Sequence, residues 1–143
     1  MRRLLAVLAL PALLSCTSAT APDTGVRVRL GLDRTTATGA DVIVSITNGS
    51  TVPIVADGCG GFVPGIERYD GTGWVSIRPI DVVCLAIYMW GRPVAVGESV
   101  RVTVPLAQAE LGRLRAYATY QFVRVPDAPM VSRRVESGEL DLR

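Results

Sequence analysis

The side chains in this 143-residue sequence that could do chemistry are three cysteines, Cys16, Cys59 and Cys84, and thirteen carboxylates; there is no histidine, and all fifteen basic residues are arginine. Histidine is the commonest general base and metal ligand, and lysine supplies Schiff-base and Ser-Lys chemistry, so Ser-His-Asp, Cys-His, zincin and pyridoxal-phosphate sites are excluded together. Carboxylate-only catalysis, a reactive thiol, or no catalysis remains. Glu67, Glu98 and Glu110 could supply a pair for glycoside hydrolysis, which needs two carboxylates about 5–10 Å apart across a cleft. Their scattered positions read instead as a solvated polar face. Asp57, Asp70 and Asp81 fall in or near turns, but the dense D-x-D-x-D-G spacing of a calcium loop is absent, so they read as acceptors of local backbone hydrogen bonds. The expectation is a protein with no catalytic residues, no metal site and no cofactor, and hence not an enzyme.

Cys16 stands at the end of an ordered set of signals. Met1-Arg2-Arg3 is followed by an apolar run from Leu4 to Leu14, which is of signal-peptide rather than membrane-spanning length, and then by Ser15-Cys16. The segment Leu13-Leu14-Ser15-Cys16 resembles the lipobox of bacterial lipoproteins. That resemblance implies cleavage before Cys16, acylation of its thiol, and a lipid-anchored place in the bacterial cell envelope. Thr17, where an aspartate would favour retention, implies the outer membrane facing the periplasm if the host has two membranes. Residues 1–15 are thus expected to be a signal peptide, residues 16–25 the lipidated N-terminus and a small-residue tether, and residues 26–143 one domain. With Cys16 assigned to lipid, Cys59 and Cys84 form an even pair in an oxidising compartment and read as one disulfide. Such a bridge would stabilise the domain by about 3–4 kcal/mol in the chain-entropy model. Two arginines leave with the leader, so thirteen arginines face thirteen acids in the remainder. No basic run tracks phosphates, and nucleic-acid binding is disfavoured.

From Val26 onward apolar residues recur with a period of two. Val26, Val28, Leu30 and Leu32 alternate with Arg27, Arg29 and Gly31, and Val42, Val44 and Ile46 share a face opposite Ser45 and Thr47. Asn48-Gly49-Ser50 reads as a turn tolerant of positive φ, in preference to its match to a glycosylation sequon. Asp70-Gly71-Thr72-Gly73 reads as a hairpin between Ile66–Tyr69 and Trp74–Ile77. Val100, Val102 and Val104 define a further strand, and Leu114 to Phe122 the longest. Short strands are expected near Val52–Ala56, Leu85–Met89 and Met130–Val135, with one helical turn between Pro105 and Gly112. Arg27, Arg29, Arg113 and Arg115 could line a strand face and, interleaved with the acids, read as serving solubility and edge protection. The fold class is all-β, an immunoglobulin-like two-sheet antiparallel sandwich of seven to nine short strands.

The segments Asn48 to Ile54, Tyr69 to Trp74 and Val94 to Val100 resemble bacterial immunoglobulin-like lipoprotein domains, and their order is loosely similar to the BsuPI-type proteinase-inhibitor domain. The first likeness implies a non-catalytic envelope lipoprotein whose sandwich acts as an interaction or structural module. The second implies the alternative, a periplasmic protease inhibitor that lays an extended loop in a protease cleft. A protein partner would meet Phe62, Tyr88, Met89, Trp90 and Arg92, because Tyr, Met, Trp and Arg are enriched at interfaces and the expected bridge would fix this stretch. The competing reading is that the apolar members fill core.

Overall fold

Alternation of apolar and polar residues produces nine strands in the computed structural model, which describes residues 25–58, 61–78, 91–123 and 131–143. They are β1 (Val26–Thr36), β2 (Gly39–Asn48), β3 (Ile54–Ala56), β4 (Gly65–Tyr69), β5 (Trp74–Arg78), β6 (Arg92–Val94), β7 (Ser99–Ala107), β8 (Gly112–Phe122) and β9 (Arg133–Leu142). A single 3-10 turn, Gln108–Glu110, joins β7 to β8, within the stretch where one helical turn is expected. Cys16, Cys59, Asp81, Cys84, Tyr88, Met89, Trp90 and the strand expected near Leu85–Met89 lie outside the described residues.

The strands form an all-β sandwich of two antiparallel sheets. The first has the order β1-β2-β7. The second is organised on β8, whose residues 114–117 pair with β4 and 120–122 with β3, while β9 pairs along 112–120. Because β9 shares Leu114, Arg115 and Tyr117 with β4 and Tyr120 with β3, it must occupy the opposite edge of β8. β5 and β6 extend the sheet beyond β4 and β3.

Burial follows the alternation. Val26 and Val28 of β1, Val42, Val44 and Ile46 of β2, and Leu106 of β7 face Ile54, Ala56, Phe62, Ile66, Val94, Leu114, Ala116, Ala118 and Tyr120 of the other layer in one core cluster. Each fully buried aliphatic side chain contributes about 1.5–3 kcal/mol. Phe62 is only 7 % exposed and belongs to this core, so it packs the sandwich and does not line a docking surface.

Asn48-Gly49-Ser50 turns the chain from β2 of the first sheet to β3 of the second, without the positive φ that its glycine tolerates. Asn48 is fully buried, and its amide donates to the carbonyls of Val52 (2.9 Å) and Val94 (3.0 Å), fastening the end of β2 to β6. Its Oδ1 accepts from the Ser50 amide and hydroxyl. A sequon asparagine in this position has no exposed nitrogen to modify. Gly49 is required by proximity, not by positive φ: its amide donates to Gly25 O at 2.9 Å, and a Cβ there would lie 2.7 Å from the same oxygen. The first hairpin instead turns through Ala37 and Thr38, between the paired Thr36 and Gly39.

Candidate anion-binding face

The sandwich has two outer faces, and their charges are handled in opposite ways. On the second sheet, β8 turns Arg113, Arg115 and Tyr117 outward, between carboxylates of β4 and β9. Arg115 donates to Glu67 and Glu136, each at 2.7 Å, and Arg134 of β9 donates to Glu67 at 2.7 Å. Arg113 forms a forked pair with Glu139 at 2.5 and 2.8 Å. Aromatic rings fill the gaps in this ladder. Arg115 lies 4.4 Å from the Trp74 ring centroid, Arg113 5.0 Å from that of Tyr69, and Arg134 3.8 Å from that of Tyr117. Forked ion pairs and guanidinium-ring stacking both reward arginine over lysine, which suits a sequence without lysine. Arg113 and Arg115 are therefore built into a ladder on a strand paired along both edges, a correction to their reading as residues serving solubility and edge protection.

Glu67 is the electrostatic centre of the ladder. Burial would raise its pKa, but the hydrogen bonds from Arg134 and Arg115 outweigh burial and hold it below the ordinary value. Glu139 is lowered chiefly by its hydrogen bond from Arg113.

The first sheet is different. Its outward positions are Arg27, Arg29 and Gly31 on β1, Ile43, Ser45 and Thr47 on β2, and Ser99 and Arg101 on β7. Register places Arg29, Ser45 and Arg101 in one row across the three strands, and Arg27, Thr47 and Ser99 in the next. Together with Leu30 and Leu32 these residues line an open groove of about 460 Å³ containing no carboxylate. Thr47 and Ser99 share a hydroxyl hydrogen bond of 2.7 Å. Among the described residues, nothing forms an ion pair, hydrogen bond or ring contact with the guanidinium groups of Arg27, Arg29 or Arg101. The nearest acid on this face along β2, Asp41, is occupied by Arg34 at 2.7 Å. Unpaired guanidinium groups beside hydroxyls can bind phosphate, sulfate or carboxylate oxygens through charge-assisted hydrogen bonds.

The remaining candidates are dispersed. Glu98 accepts from the Ala95 amide (2.8 Å) and pairs with Arg92 (3.5 Å), and Glu110 accepts from the Ala107 amide (2.7 Å) and pairs with Arg78 (2.9 Å). With Glu67 held by its own arginines, each carboxylate considered for glycoside hydrolysis has a separate structural partner. Arg92 is exposed, whereas Phe62 is in the core, so these two do not share a surface. Asp70 caps its hairpin: Oδ1 accepts from the Thr72 amide, the Gly73 amide and the Thr72 hydroxyl at 2.8, 2.9 and 2.8 Å, and the Thr72 amide leads in lowering its pKa. Among the described residues no three His, Cys, Asp or Glu side chains are gathered as a metal ion would need, and no helix is long and apolar enough to cross a membrane.

Sequence reading recognised Arg27 and Arg29 as strand-face residues but missed Arg101. Its only signal was its place between Val100 and Val102, which acquires meaning once β7 is known to lie beside β2. Fold and face define an all-β, two-sheet antiparallel sandwich with one charge-compensated and one uncompensated surface. No protein-family model matches the chain, and neither a curated protein nor a solved structure is significantly similar to it.

Proposed function

We propose that this protein is a non-catalytic lipoprotein of the bacterial cell envelope, anchored through Cys16, whose sandwich is an interaction module that uses the outer face of its first sheet. The observation that carries the reading is the contrast between the two faces. The three glutamates considered for glycoside hydrolysis are held by arginines and backbone amides, while three arginines around an open groove have no side-chain partner among the described residues. Bonds committed to the fold are poor candidates for turnover, and unpaired cations on a rigid sheet are good ones for binding. The Ser15-Cys16 step behind a charged and apolar leader supports the anchor, and the even pair Cys59 and Cys84 supports one disulfide in that compartment.

Metabolic labelling with a tagged palmitate analogue, comparing the wild type with Cys16→Ala, tests the anchor: label is expected on the former alone. Crosslinking in intact cells then compares the wild type with Arg27→Gln/Arg29→Gln/Arg101→Gln. Loss of crosslinked neighbours in the triple variant, with circular dichroism unchanged, supports the module; an unaltered crosslinking pattern counts against the face. Thiol titration without reductant is expected to find no free Cys59 or Cys84.

A further inference from the structure

We infer that the face formed by Arg27, Arg29 and Arg101 docks the domain onto the phosphate headgroups of an anionic bilayer, the one holding the Cys16 anchor; for that anchor the inference rests on the lipoprotein reading above. Every other described arginine has a carboxylate, a carbonyl oxygen or an aromatic ring against it. Among the described residues these three have none, and all three are exposed around the groove.

Shape and placement point to the same occupant. The groove is open and spreads across three strands, and a Cβ at Gly31 would meet nothing within 4 Å. A site for one compact soluble anion would hold its arginines in place by second partners, whereas unrestrained guanidinium groups on a broad sheet suit an array of phosphodiesters. The position of Cys16 along the chain agrees with this. Between Cys16 and Val26, where β1 starts, a fully extended chain reaches at most about 35 Å. Arg27 and Arg29 fall within the first four residues of β1, so the basic rows lie at the anchored end of the sheet. An acylated Cys16 would thus keep headgroups at high effective concentration beside this face.

The test uses the full chain, processed in its host, purified in detergent and reconstituted into vesicles of phosphatidylcholine with or without phosphatidylglycerol. Phenylglyoxal modification of each arginine is read by peptide mass spectrometry, with Arg113, on the outer face of the other sheet and with its side chain 50 % exposed, as internal control. On anionic vesicles at low salt, Arg27, Arg29 and Arg101 should react several-fold more slowly than on neutral ones while Arg113 is unchanged, and about 0.5 M sodium chloride should abolish the difference. Equal rates on both vesicles overturn the inference. Equal protection on neutral vesicles by added inorganic phosphate also overturns it, assigning the face to a soluble anion. Intact mass reports acylation separately. An acylated protein with unprotected arginines fails the docking alone. A protein without acyl chains fails the anchor reading, and vesicles added from outside then report docking in the same way.

Discussion

The phenol ring of Tyr117 lies across the α-carbon of Gly65, its cross-strand partner, so closely that a methyl group on Gly65 would sit 2.1 Å from the ring's Cζ. Gly65→Ala must push the ring aside and disturb the Arg134 guanidinium stacked 3.8 Å from its centroid. Overpacking of this kind costs about 1–3 kcal/mol, read from the urea midpoint at constant m-value. Adding Tyr117→Ala removes the obstacle, so the double variant should lose less than the two single losses combined. Strict additivity would show that the ring does not restrain this position.

Replacing Glu67 by glutamine keeps the shape and removes the charge that Arg115 and Arg134 share. The Glu67 side chain is only 10 % exposed, so both guanidinium groups lose a partner in a partly dry place. A loss of roughly 1–3 kcal/mol is expected in equilibrium unfolding. Stability equal to the wild type would mean that Glu136 alone satisfies the ladder.

The same carboxylate gives a pH dependence of definite sign. Its folded pKa is lowered, as are those of Asp70 and Glu139, so the unfolded chain binds protons first. Their stabilisation is complete above the ordinary carboxylate range and is lost as pH falls through the folded values. Denaturant midpoints measured from neutral pH downward should decline more gently for Glu67→Gln than for the wild type, and parallel declines would exclude Glu67 as a contributor.

Asn48→Ala is expected to cost about 1–3 kcal/mol, because the carbonyl of Val94 loses its amide donor in the buried interior, whereas that of Val52 is more exposed and keeps the Ser50 hydroxyl. Asn48→Asp should be at least as damaging at neutral pH, since a carboxylate would face two carbonyl oxygens. Thermal melts of both variants check this, and an unshifted Tm would mean that the crossover is held elsewhere.

Arg29→Gln and Arg101→Gln should each leave stability within about 0.5 kcal/mol of the wild type, as exposed side chains without partners among the described residues do. Arg115→Gln, which leaves Glu67 and Glu136 short of a donor, should be clearly destabilised. If the two groups behaved alike, the distinction between a structural and an available set of arginines would collapse.

The regular strands were legible because Val42, Val44 and Ile46, or Leu114 through Tyr120, alternate without interruption. β9 was only glimpsed near Val135, since Ser137-Gly138 breaks its period where the pairing with β8 shifts register and the Ser137 hydroxyl accepts from the Ala116 amide at 2.9 Å. β6 escaped notice because it has three residues and contains Pro93. The Ala37-Thr38 turn carries neither glycine nor asparagine, whereas Asn48-Gly49 has a hairpin signature and crosses between sheets. Arg27 and Arg29 looked identical to Arg113 and Arg115 for a simple reason. Whether an outward arginine is paired depends on carboxylates such as Glu136 and Glu139, more than twenty positions away along the chain and adjacent only through strand pairing.

Since β9 lies on the free side of β8, it has the part of a latch. Without it β8 would have a bare edge, and Arg113 and Arg115 would lack Glu139 and Glu136 on its outward side. A nascent chain cut short before residue 133 would keep that bare edge, and would be a better target for proteases and for stray pairing than the finished protein.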